Sequence, residues 1–202
     1  MSQSGEHEGA LRLRRAVRSG ALSTGGAPFS VRAGSEFLAG LHAALASSDE
    51  LLFDTLYRAG YAWGEGWLER LDRSLSSMSL NRKALELDDL EFMLKDEFAS
   101  SRWGHLEMDT KSRASVGVVL VTVTGGPVAL LPESARGLAM LLGGFMAGVF
   151  TGIAGVPMAG LGVPWTEAAA ARLLVAHERR VERVWLKLTH GAEWNEALDA
   201  LE

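Results

Sequence analysis

His105-Leu106-Glu107-Met108-Asp109-Thr110-Lys111 alternates polar and apolar side chains, and a valine-rich run from Arg113 to Thr124 follows it directly. Alternation with a period of two is what a strand with one wet face requires, and a run apolar on both sides suits a more central strand covered on both faces. Ser112 and its neighbours are read as a tight hairpin turn between the two strands, with Gly125-Gly126-Pro127 ending the second. The stretches before them have helical spacing. The fold class that follows is α+β, with helices packed on a short twisted antiparallel sheet.

Working back from these strands, Leu90, Met93, Leu94 and Phe98 recur at helical spacing and predict a helix from Asp88 to Ala99 with its acidic residues outward. Ser76-Ser77-Met78-Ser79 is a break. Before it, Leu52, Leu56, Tyr57, Trp63, Trp67 and Leu71 mark a helix from Asp49, its expected cap, to about Leu75. Phe37, Leu38, Leu41 and Leu45 give an earlier helix over 35–46, capped by Ser35. Residues 1–28 are rich in glycine, serine and charge, and are read as a flexible polar tail whose basic run Leu11-Arg12-Leu13-Arg14-Arg15-Ala16-Val17-Arg18 is a solvated arm, the alternative being a docking element for an acidic partner or anionic lipid. Residues 29–202 then form a single domain.

Working forward, Gly137 to Trp165 carries no charged residue. About 20 apolar residues suffice to cross a bilayer. Pro157 and Pro164, however, confine the uninterrupted helix to about Ala135–Ala154, and its flanks lack a basic cluster or an aromatic belt. It is therefore read as the central helix of a globular core, not as a membrane span. Residues 166–188 fit both periods: the alanines at 168–171 and the spacing of Leu174, Val181, Val184, Trp185 and Leu188 favour helix, while Arg180 to Leu188 also alternates as a strand. Helix is the reading adopted.

Composition narrows the function classes. The 202 residues are 48% hydrophobic, enough for one substantial core, and the formal net charge of −5 is spread along the chain, which offers no footprint for a nucleic-acid backbone. The absence of cysteine excludes disulfides, thiolate metal sites and a thiol nucleophile. The polar, acidic opening does not read as a secretory signal, so a cytoplasmic location is expected. His105, Glu107 and Asp109 share one strand face, but a flat row about 7 Å apart cannot enclose a metal ion by itself. The other histidines lack metal-ligand spacing, and no nucleophile elbow or phosphate loop is present; Gly125-Gly126-Pro127 lacks both the lysine and a following helix start. Glu65 lies between Trp63 and Trp67, where an acid could act in catalysis, yet residues two apart on a helix point different ways, so Glu65 is expected to face solvent. No catalytic residue, metal or cofactor is assigned.

Gly144, Gly148 and Gly152 lie four apart and form a smooth helical stripe, and Gly60 and Gly64 offer a matching notch. Glycine inside a helix costs about 1 kcal/mol relative to alanine and needs a compensating contact, so these residues are expected to pack two core helices closely together.

Gly60-Tyr61-Ala62-Trp63-Gly64, the junction Trp103-Gly104-His105-Leu106, the valine-rich second strand and Gly144-Phe145-Met146-Ala147-Gly148-Val149-Phe150 resemble 4-vinyl reductase domains and the small subunits of the TRAPP vesicle-tethering complex, over about residues 30–155. The resemblance implies helices on a twisted antiparallel sheet, a homodimer and a buried apolar cavity. The function expected from it is a regulatory or sensory one, binding a hydrophobic small molecule or acyl chain in that cavity as a homodimer; the alternative is a ligand-free dimeric scaffold or adaptor with a protein partner. Many 4-vinyl reductase domains end in a cysteine-bearing strand hairpin, whereas the corresponding stretch here is Glu167-Ala168-Ala169-Ala170-Ala171-Arg172-Leu173-Leu174. The aromatic and methionine residues Phe53, Tyr57, Trp63, Trp67, Phe92, Met93, Phe145, Met146 and Phe150 are the candidates to fill the core or to line the cavity.

Overall fold

The structure is a computed structural model that describes residue 40 and residues 49–82, 85–111, 114–165 and 168–201. Six α-helices lie on a four-stranded antiparallel sheet among these residues: α1 (Asp49–Ser77), α2 (Leu87–Ser100), β1 (His105–Asp109), β2 (Val118–Thr124), α3 (Gly126–Leu130), α4 (Ala135–Ala154), β3 (Met158–Trp165), β4 (Ala170–His177), α5 (Glu178–Thr189) and α6 (Trp194–Asp199). The sheet order is β1-β2-β4-β3. The α+β class read from the change of period is the one observed. The tail at 1–28 and the helix expected at 35–46 lie outside the described residues, apart from Gly40, which is helical.

The sheet carries a core on each face. Alternate residues of β2 and β4 (Val121, Val123, Ala171, Leu173 and Val175) meet Trp67, Leu94, Phe98 and Phe145 of α1, α2 and α4. The intervening residues Val118, Leu174 and Ala176, with Leu161 of β3, pack with Val181 and Val184 of α5 and Ala197 and Leu198 of α6. A strand buried on both faces must be apolar on both, which the sequence of β4 satisfies.

That explains where the helix reading of 166–188 fails. Residues 170–177 are a strand paired on both sides, with β2 in the register Thr122↔Arg172 and with β3 in the register Leu161↔Leu174; helix begins only at Glu178. The alanines favour helix locally, but two covered faces and two neighbouring strands outweigh a propensity difference of a few tenths of a kcal/mol per residue. β3 forms although Gly160, Gly162 and Pro164 argue locally against a strand. Smaller corrections concern β1, which ends at Asp109, and β2, which begins at Val118 after a 3-10 turn at Ala114–Val116. Gly126 and Pro127 do start a helix, the five-residue α3.

Helix α1 closes with Ser79 in the left-handed region (φ 58°), Leu80 N–H donating to Leu75 O at 2.9 Å and Ser79 N–H to Ser76 O at 3.0 Å. The same paired hydrogen bonds end α2 at Arg102 (φ 62°) and turn the apolar Trp103 back towards the core. This turn delivers the chain into β1 through Gly104.

β3 is an edge strand, and three devices guard its outer side. Met158 N–H donates to Thr151 Oγ1 at 3.0 Å while the Thr151 hydroxyl donates to Met158 O at 3.3 Å. Gly160 N–H donates to the Tyr57 phenol oxygen at 3.3 Å. Pro164 has no N–H to offer. Burial holds the Tyr57 phenol above its ordinary pKa, against the downward pull of the Gly160 hydrogen bond. The opposite edge, β1, pairs only with β2 among the described residues.

Helix α4 is long and apolar enough to cross a membrane, and most of it is buried between α1 and the sheet.

Candidate functional site

The packing of α4 is set by glycines on two of its sides. A Cβ placed on Gly60 would strike the Leu141 carbonyl, and one on Gly64 the Phe145 carbonyl; from the other helix, Gly144 and Gly148 would strike the Tyr57 and Tyr61 carbonyls. The two helices thus meet backbone to backbone. Gly152 continues the stripe against the Leu68 side chain. On another side of α4, Gly143 lies against Gly160 and Gly162 of β3, and a Cβ on Gly162 would strike the Ala139 carbonyl. Helix α4 is therefore clamped between a helix and a strand with side chains excluded from both seams.

This close approach brings rings from α1, α2 and α4 together. Trp63 lies 4.2 Å from Phe145, 5.1 Å from Trp103 and 6.3 Å from Phe98 between ring centroids. Phe98 and Trp67 meet Phe145 edge-on at 5.6 and 6.4 Å. Such pairs add about 0.5–1.5 kcal/mol each beyond the area they bury. Glu97, buried beside them, accepts hydrogen bonds from Trp67 Nε1–H at 3.2 Å and from the Ser101 hydroxyl at 3.3 Å. Both carboxylate oxygens are engaged, so Glu97 ties α1 to the end of α2. Replacing Trp67 by phenylalanine keeps most of the ring but removes this donor. The expected cost is about 1–3 kcal/mol, read by thermal melting; an unchanged melt would show that the bond contributes nothing.

The remaining candidates separate into three groups. Trp67, Phe145 and Met146 have 0% exposed surface, and Met93 and Phe150 are buried. A side chain with no accessible surface borders no space that admits a water molecule, so these three fill the core and do not line a cavity. Phe53, Tyr57 and Trp63 are half-buried: the Arg136 guanidinium lies 4.4 Å over the Phe53 ring, and Tyr57 is engaged at the edge of β3. Phe92 is a correction. At 48% exposed it lies outside the core, because Leu90, Met93, Leu94 and Phe98 define the inward side of α2 and Phe92 falls opposite Leu90.

Glu65 is exposed, as its position on α1 requires. On β1, His105 Nε2 and Glu107 Oε1 are 3.5 Å apart in an open setting, with both side chains about two-thirds exposed. Among the described residues no group of three potential ligands is placed to hold a metal ion. Across the sheet, Arg172 stacks 3.5 Å over the Trp165 ring. A shallow depression of about 500 Å³ lies far along the chain from the aromatic cluster, lined by Arg183, Leu186, Lys187, His190 and Ala200. Sequence reading singled out neither this depression nor Glu97, whose spacing from Trp67 gives no hint of contact. No family model, characterised protein or solved structure matches the chain.

Proposed function

We propose that the protein is a non-enzymatic, homodimeric scaffold or adaptor of the cytoplasm, similar in plan to 4-vinyl reductase domains and TRAPP small subunits but with its interior filled. The observation that carries this reading is the complete burial of Trp67, Phe145 and Met146, the residues that would border an apolar ligand if one were held there. Admitting an acyl chain would require α1 and α4 to part along a seam where backbone already touches backbone. The net charge of −5 favours a protein partner over nucleic acid. For self-association, β1 offers a strand edge that pairs with β2 alone among the described residues, and Phe92 presents an exposed ring on α2, which packs against that strand.

Native mass spectrometry and light scattering of the purified chain test this directly. The expected species has twice the 21.7 kDa chain mass and carries no copurified apolar molecule. A stoichiometric lipid or pigment would establish instead the sensory, ligand-holding role, and a monomer at micromolar concentration would remove the dimer.

A further inference from the structure

Helix α5 carries four basic and two acidic residues in a chain whose net charge is −5. Its apolar side, Val181 and Val184, is buried against the sheet. On the opposite side Arg183, Leu186, Lys187 and His190 fall at spacings of three and four, so they share one face, which Arg179 extends by a further turn. All five are exposed. Leu186 keeps 49% of its surface open between Arg183, Lys187 and His190, so this polar face has an apolar centre. Neither Arg183 nor Lys187 forms an ion pair among the described residues.

The face is concave. Ala200, following α6, supplies its far wall, and the depression of about 500 Å³ is floored largely by apolar atoms with the charged groups around them. The end of α5 is held in shape: His190 Nδ1–H donates to Leu186 O at 2.6 Å, and Gly191 N–H and Ala192 N–H take the Leu188 and Lys187 carbonyls at 3.0 and 3.1 Å. Those carbonyls are therefore occupied and present less negative potential to an incoming anion.

From this geometry we infer that the outer face of α5, with Ala200 opposite, is a docking groove for an acidic segment of a partner protein, which sets an apolar side chain on Leu186 and carboxylates beside Arg183 and Lys187. The inference rests on the scaffold reading and names the chemistry of the partner. Charge complementarity fixes the sign of the occupant, and the apolar floor requires that it bring a hydrophobic anchor as well. A segment of protein fits better than an anionic bilayer, because the broad apolar side of α5 is already buried on the sheet and a flat lipid surface cannot fill a recess. The groove is too open to enclose a small molecule, which a pocket normally buries by about 70–90%.

The test uses the full chain and a fluorescein-labelled synthetic peptide of the repeat Glu-Leu-Glu-Glu, with a Lys-Leu-Lys-Lys peptide as control. Anisotropy should show binding of the acidic peptide alone, weakening as salt rises. The double variant Arg183→Glu/Lys187→Glu should bind about tenfold more weakly or worse, and Leu186→Ser should also lose affinity. All three positions are exposed, so melting curves should match the parent; should a reversal variant unfold, Arg183→Gln/Lys187→Gln serves in its place, with a partial loss expected. Equal binding by parent and variants, or no binding to the peptide, overturns the groove. Binding only to phosphatidylserine-containing vesicles, lost in the charge variants, overturns it in favour of a membrane surface. Failure here with the dimer mass retained removes the groove and leaves the scaffold reading; a monomer holding an apolar ligand removes the scaffold reading whatever the peptide does.

Discussion

A Gly148→Leu protein is expected to melt about 6–12 °C or more below the parent. Ordinary overpacking costs about 1–3 kcal/mol because neighbouring side chains can turn aside. At Gly148 they cannot, since the first atoms met are the Tyr61 carbonyl and the Glu65 nitrogen of α1, both backbone. The whole helix must move, and on the far side α4 is held by Gly160 and Gly162 of β3. The loss should therefore lie at or beyond the upper end of that range, with each kcal/mol lowering Tm by about 2–4 °C in a chain of this size. Gly66 is the control. It also lies within α1, but an added Cβ there meets only the Arg70 side chain at 3.9 Å, so Gly66→Ala should stabilise by about 0.5–1 kcal/mol through backbone entropy alone. Equal melting temperatures for parent and Gly148→Leu would show that the two helices do not meet at this seam.

Phe145→Ala should cost about 3–5 kcal/mol in urea unfolding, the range for removing a fully buried aromatic ring. Phe145 is wholly enclosed and touches the rings of Trp63, Trp67 and Phe98, so its removal forfeits three ring contacts and leaves a void between clamped helices that cannot collapse to fill it. The measurement also bears on function. A cost below about 1 kcal/mol would mean that space already exists beside the ring, and the case for a filled interior would fall with it.

These two residues belong to the part of the molecule that was legible in sequence. Four-residue glycine spacing has few uses in a helix other than close approach, and the change from helical to alternating period at His105 locates the sheet without knowledge of its partners. The β3–β4 hairpin was not legible, for a physical reason. Gly160 and Gly162 weaken a strand locally and are explained only by the nearness of α4, while Ala170 and Ala171 favour helix until two strands and two cores surround them. Phe92 misleads by its aromatic character, which suggests the core, whereas its phase on α2 sets it opposite Leu90. The outer face of α5 is not legible in sequence because it depends on which side of an amphipathic helix the sheet covers, and Leu186 and Leu188 look alike until that is known.

The hydroxyls of Thr151 and Tyr57 that occupy the outer side of β3 also govern how large an assembly can grow. A sheet whose two ends are both open can be extended indefinitely, each added molecule offering a fresh edge to the next. Here one end is blocked. Should two copies join antiparallel through β1, both ends of the shared sheet would be β3 strands whose Met158 N–H and C=O and Gly160 N–H are already occupied and whose Pro164 has no N–H to give. Further strand addition would then meet a guarded edge at both ends, so a concentrated solution should favour closed pairs where an unguarded sheet would favour fibres.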